Sequence, residues 1–177
     1  MAEEGGNQGL IAVMTGDIVR SSSLAPGKLK ALVTSIDVAA TRFGTLYPGS
    51  VLGDADVYRG DSWQIAMARP ELSLRFSLYL RARFIESGGK ADTRMSIGFG
   101  SDNAIAQDRI SRSTGDAFLR SGRALDEIGE RRMIVAMPDA PPDTGALARC
   151  VVSLLDRLAA GWTVKQAGAM RLVLENP

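Results

Sequence analysis

The chain has 177 residues, 45% hydrophobic and 23% charged, and its 21 lysines and arginines nearly balance 20 aspartates and glutamates. Those values fit one globular domain of ordinary size and exclude a largely disordered chain, and no apolar run approaches the ~18 residues of a membrane span. A net charge of +1 does not mark a nucleic-acid-binding surface.

The acidic, glycine-rich residues 1–8 read as a disordered leader and lack the basic and apolar regions of a secretory signal. Leu10 to Met14 is an apolar run ending at Thr15-Gly16-Asp17, the pattern of a fully buried strand. Ser21-Ser22-Ser23 and Pro26 signal a helix start, and Leu29, Leu32, Val33, Ile36, Ala39, Ala40 and Phe43 recur at helical spacing, with Gly44 set to end the helix. After the Pro48-Gly49 turn, residues 50–59 and 62–68 read as a hairpin around Gly60-Asp61. A second helix is expected over 71–87, opened by Pro70 and closed by Gly88-Gly89, with Arg75, Arg81 and Arg83 on its wet edge.

Residues 94–100 read as a strand, 101–113 show no period, 115–128 fit a third helix, and Met133 to Met137 a last strand. The proline-rich stretch 138–145 reads as a linker between a domain over 9–137 and a helical hairpin over 146–177, broken at Gly161. The order βαββαβαβ, with an antiparallel pair inside a βα…αβ frame, predicts an α+β fold. It is a ferredoxin-like, palm-type mixed sheet with helices on one face, followed by the C-terminal hairpin.

With no histidine and a single cysteine, Cys150, the chain cannot build a Ser-His-Asp triad, a histidine-rich zinc site or an intramolecular disulfide. This composition suits a reducing, cytoplasmic, bacterial setting. Cys150 is expected to pack in an apolar helix face, and Trp63 in the core or an interface. Carboxylates, arginines, hydroxyls and backbone amides remain, a set suited to hard cations and phosphates. Asp17 follows a buried strand and Asp61 sits at the hairpin tip, and in a palm-type sheet these two ends converge. Two aspartates so placed can hold Mg²⁺ or Mn²⁺. The preceding glycines, Gly16 and Gly60, leave room for a metal or phosphate to approach the backbone. The amides and hydroxyls from Ile18 to Ser23, Ser21 and Ser22 among them, can cradle a triphosphate ahead of the helix. Read apart from this context, each Gly-Asp pair is a common turn dipeptide.

Thr15-Gly16-Asp17-Ile18-Val19-Arg20-Ser21-Ser22 resembles the first metal motif of class III nucleotidyl cyclases, and Tyr58-Arg59-Gly60-Asp61-Ser62-Trp63 resembles their Gly-Asp hairpin. Arg94 to Gly100 is similar to the strand that follows, and Gly115 to Leu125 to the helix carrying a cyclase Asn and Arg. The same motif order is similar to that of SatD-type bacterial proteins. The resemblance implies Asp17 and Asp61 as metal ligands, an Ile18 backbone carbonyl beside them, Arg123 meeting phosphate charge, a nucleoside triphosphate as ligand and a homodimer. The chain departs from the pattern in three places: Leu119 stands where cyclases carry Asn, Val57 where they read the base, and the Phe-Thr of the first metal motif is missing. Arg123 also pairs by spacing with Glu127, and Asp116 with Arg120, as helix-surface ion pairs do.

Residues 154–167 resemble the segment that precedes a helix-turn-helix in SatD-type proteins, and Pro177 falls about where that module would begin. The chain as given is therefore expected not to bind DNA itself. Two functions follow: a metal- and nucleotide-binding palm domain carrying out phosphoryl transfer, or a catalytically degenerate sensing and dimerisation module of a transcription regulator.

Overall fold

The computed structural model describes residues 9–101 and 114–176. The leader expected over 1–8 and most of the aperiodic stretch 101–113 lie outside the described residues. The central strand is β1 (Leu10–Ile18), hydrogen-bonded to an antiparallel neighbour on each side. Its Ala12 and Met14 enter one core, while Ile11 and Val13 enter another on the opposite face. Burial on both faces is why this strand is apolar without alternation.

Helix α1 (Pro26–Leu46) places Leu32, Ile36, Ala39, Ala40 and Phe43 against the sheet. It runs through Gly44 and ends at Tyr47, so the stop comes from Pro48-Gly49 rather than from Gly44. Strands β2 (Val51–Tyr58) and β3 (Ser62–Met67) form the hairpin, with a register irregularity between Leu52 and Asp56. Helix α2 (Ser73–Glu86) follows a short 3-10 turn at Pro70–Leu72, and Gly88, Gly89 and Lys90, all at positive φ, turn the chain into β4 (Thr93–Ser101). Helix α3 (Asp116–Asp126) leads to β5 (Met133–Ala136), which pairs in parallel with β4.

The sheet order is β2-β3-β1-β4-β5. Its first four strands with α1 and α2 have the ferredoxin-like, palm-type arrangement, and β5 extends the edge. Helices α1 and α2 share one face and one core, with Trp63 fully buried in it and donating its indole N–H to Thr93 Oγ1 at 2.9 Å. Helix α3 instead crosses the other face, where Ala117 and Phe118 meet Ile11 and Val13. It lies close enough that a Cβ on Gly98 would stand 2.4 Å from the Ala117 carbonyl oxygen.

Helix α4 (Pro142–Ala160) begins inside the proline-rich stretch, with Pro142 in its first turn. Helix α5 (Val164–Glu175) starts from a reciprocal cap between Thr163 and Gln166. Both return to the α1–α2 layer: Val152, Ala159 and Leu174 join its core, and Arg171 pairs with Glu86 at 2.6 Å.

Two expectations are corrected here. Cys150 is exposed, because α4 turns its small residues Gly145 and Ala159, with Val152, inward. Arg81 is not on a wet edge but fully buried, held by Asp92 and Asp156. Its neighbours Arg75 and Arg83 are half-buried, and Arg75 donates to Tyr47 Oη at 2.7 Å. Among the described residues, no helix is long and apolar enough to cross a membrane.

Candidate functional site at the β1–β3–β4 end

Asp17 lies one residue before the end of β1, opposite Ser62 of β3 on one side and Arg94 of β4 on the other. The hairpin tip delivers Asp61 beside it. Arg59 and Gly60 adopt φ of 53° and 88°, so the chain reverses within three residues and Asp61 precedes the Ser62 that faces Asp17. Gly60 is needed at its position for that positive φ. The Ile18 amide donates to the Asp61 carbonyl at 3.2 Å, tying the two strand ends together. Beyond Ile18, Val19 donates to the Asp92 carbonyl at 2.9 Å, Arg20 turns the chain at φ 55°, and Ser21–Ser23 forms a 3-10 turn before α1.

These pieces enclose an open, polar pocket of about 380 Å³ lined by Asp17, Ile18, Val19, Arg20, Ser21, Ser22, Asp61, Arg94, Gly129 and Arg132. Ser21 donates its hydroxyl to Asp61 Oδ2. Arg94 grips Asp17 in a two-pronged pair, Nε to Oδ1 at 2.9 Å and Nη2 to Oδ2 at 2.5 Å. The hydrogen bond to Asp17, with the fields of Asp17 and Asp61 behind it, outweighs partial burial and pushes the Arg94 guanidinium above its already high pKa. Three arginines line the pocket against two aspartates, so its wall is net positive and favours an anion.

The structure therefore brings together Asp17, Asp61, Ile18, Ser21 and Ser22. Gly60 sits in the adjoining turn. Arg123 is not among the lining residues: it is exposed on α3. Of the two helix-surface pairs, Asp116–Arg120 is formed at 3.3 Å, and Arg120 also reaches Asp139 at 2.7 Å.

The role given to the glycines also changes. A Cβ on Gly16 would fall 2.4 Å from both the Arg94 carbonyl oxygen and the Trp63 ring, so the space beside Gly16 is filled by protein. Sequence reasoning missed Arg94, Arg132 and Arg20 as pocket residues. The signal for Arg94 was its place in a strand that must pair beside β1.

As to a divalent ion, the donor set fits in kind: two carboxylates and a backbone carbonyl, all oxygen, with phosphate or water to complete the shell. Among the described residues no group of three or more acidic, cysteine or histidine side chains could hold a metal. A second cavity, of about 410 Å³, lies at the other end of the sheet by Leu10, Phe99 and Met137. It gathers none of the candidate residues, and its Arg120 is already bonded to the Phe99 carbonyl, Asp116 and Asp139.

No family model matches the chain, and no curated protein matches it in sequence. Among solved structures, the chain is similar to the active GGEEF domain of a diguanylate cyclase from Vibrio cholerae. The identity is 15% and the TM-score 0.47, over 71% of this chain and 81% of that one.

Proposed function

We propose that this palm-type domain binds a nucleoside triphosphate by its phosphate chain in the pocket at the β1–β3–β4 end, together with Mg²⁺ or Mn²⁺. The convergence of Asp17 and Asp61 on one arginine-lined pocket is the observation that supports it. Asp17, Asp61 and the Ile18 carbonyl would hold the ion, and Arg20, Arg94 and Arg132 would meet phosphate charge. Arg123, assigned that role by the cyclase resemblance, stands outside the lining. The Ser21 and Ser22 hydroxyls and the amides of their turn offer donors to terminal phosphate oxygens. A bound ion supplies Lewis-acid chemistry, lowering the pKa of an attacking hydroxyl and taking up charge on the leaving phosphate, which is what a phosphoryl-transfer enzyme of the cyclase type requires.

The second reading is a catalytically degenerate sensing and dimerisation module of a cytoplasmic transcription regulator. Two observations favour it: Leu119, exposed where the cyclases carry Asn, and Arg123 outside the pocket. A homodimer belongs to both readings and is supported by the exposed apolar residues Leu147, Val151, Leu154 and Leu158 on one side of α4.

The deciding experiment is calorimetric titration with each nucleoside triphosphate, with and without Mg²⁺, on the wild type and on Asp61→Asn. The Asn side chain keeps an acceptor for Ser21 and removes one charge. Metal-dependent binding is expected to weaken about tenfold or more, the scale of a charged hydrogen bond. Failure of the wild type to bind any triphosphate, or equal binding by the variant, refutes the proposal. Product analysis then separates the enzyme from the sensor.

A further inference from the structure

Two arginine–aspartate systems, Arg81 with Asp92 and Asp156 and Arg94 with Asp17, share a chemistry and differ in freedom. Arg81 has no exposed surface and makes four hydrogen bonds to two aspartates, three to their carboxylates and one to the Asp156 carbonyl, so its position is fixed. The Arg94 side chain is 37% exposed, stands in the pocket wall and holds a single carboxylate, Asp17. Because Arg94 and Asp17 are direct cross-strand partners, the pair forms without any loop movement. It engages both oxygens of Asp17, while Ser21 engages Asp61.

We propose that Arg94 is a cationic latch on Asp17: the guanidinium occupies the carboxylate in place of a divalent ion, and the ion enters only with a phosphate-bearing ligand that draws Arg94 away. The proposal rests on the assignment of this pocket to a nucleotide and adds how metal and nucleotide are ordered there.

The argument is one of charge and geometry. A divalent ion arriving alone meets a wall where three arginines outnumber two aspartates, and it must displace a bidentate guanidinium. A phosphate group reverses both terms. It adds negative charge, and it offers Arg94 an acceptor matching the same planar fork, so the arginine exchanges one oxyanion for another. Asp17 is then free to join Asp61 at the ion. Nucleotide and metal thus bind with positive coupling, and the coupling is reciprocal.

The test compares the wild type with Arg94→Met, which keeps the aliphatic length and removes the charge, and with Arg94→Lys, which keeps the charge and loses the fork. Folding of each is checked by circular dichroism. Mn²⁺ alone is titrated by electron paramagnetic resonance, then again with a saturating triphosphate analogue that cannot be hydrolysed. Arg94→Met is expected to bind Mn²⁺ alone about tenfold or more tightly than the wild type, with Arg94→Lys between them. The analogue should raise Mn²⁺ affinity strongly in the wild type and much less in Arg94→Met. Equal affinity of wild type and Arg94→Met for Mn²⁺ alone, whether measurable or absent in both, overturns the latch. Failure of every protein to bind the analogue, read separately by calorimetry, overturns the nucleotide assignment and with it the ligand-driven opening. A gain of Mn²⁺ affinity in Arg94→Met that is abolished by adding Asp17→Asn supports the latch at this carboxylate.

Discussion

Arg81→Met tests the most heavily buried charge in the structure. The guanidinium is fully enclosed, with Nε 3.0 Å from Asp92 Oδ1, Nη2 2.8 Å from Asp92 Oδ2 and Nη1 2.8 Å from Asp156 Oδ1. The aspartate side chains are only 17% and 11% exposed. Methionine fills much of the volume but leaves two nearly buried carboxylates facing each other, with Arg132 Nε, 3.8 Å from Asp92 Oδ2, as the one cation in ion-pair range among the described residues. Breaking a buried ion pair in this way costs about 3–5 kcal/mol, far above the ~1 kcal/mol of a surface pair. For a chain of this size, that lowers the melting temperature by roughly 10 °C.

Urea unfolding followed by tryptophan fluorescence measures the loss, and a second variant separates its causes. Asp92 and Asp156 also accept the backbone amides of Thr93, at 2.9 Å, and Arg132, at 3.0 Å, so asparagine at both positions retains acceptors there. The triple variant R81M/D92N/D156N should recover a good part of the stability, because no ionised group is left buried. A loss below about 1 kcal/mol for Arg81→Met would mean that water reaches the triad. A triple variant no better than the single one would put the cost in lost packing rather than in orphaned charge.

Two further outcomes follow. Gly16→Ala drives a methyl group into a backbone oxygen and an indole ring, both at 2.4 Å, so it should destabilise by about 2–3 kcal/mol in the same unfolding assay and widen the Asp17–Arg94 pairing. Burial, the leading cause, raises the Tyr79 hydroxyl above its usual pKa of 10.0. A raised folded-state pKa means stability fully present below about pH 10 and lost as pH rises through the folded value. Tyr79→Phe should therefore flatten the alkaline fall in melting temperature above pH 10, and an unchanged fall would show that Tyr79 does not ionise there.

The fold was legible where local signals decide it. The α1 stripe, the Gly88-Gly89 stop and the turn before β2 each follow from side-chain period or backbone freedom, and the order of elements then limits the sheet to few topologies. The face chosen by α3 was not read, although Gly98 and Gly100, two residues apart on one strand face, leave the groove into which that helix settles. Asp17 and Asp61 were legible as strand-end carboxylates. Their partners were not: Arg94 is 77 positions from Asp17, and Arg81 finds Asp92 and Asp156 at separations of 11 and 75. On a helix, Arg81 looks like any surface cation until the fold buries it. Cys150 misled for the opposite reason. Apolar residues surround much of α4, and the larger ones, Leu147, Leu154 and Leu158, face outward while glycine and alanine pack inward.

The buried triad and the pocket are physically joined, and this bears on what the C-terminal helices contribute. Asp92 binds Arg81 through its carboxylate and Val19 through its carbonyl, and Val19 lines the pocket. Asp156, on α4, binds Arg81 with one oxygen and the Arg132 amide with the other, and Arg132 also lines the pocket and approaches Asp92 at 3.8 Å. One guanidinium in α2 thus fixes the loop before β4, the loop before β5 and a turn of α4 relative to one another. Two of these three carry or position pocket residues. A charge network of this kind adds little net stability over an apolar core, but it tolerates few alternative arrangements, because each donor has a matching acceptor at one distance and angle. The rigid half of the pocket wall is therefore held from behind by α4. In the other half the Arg94 and Asp17 side chains meet in the pocket wall, 37% and 19% exposed, and Ser21 holds Asp61 there; it is among these side chains that a ligand can rearrange the charges.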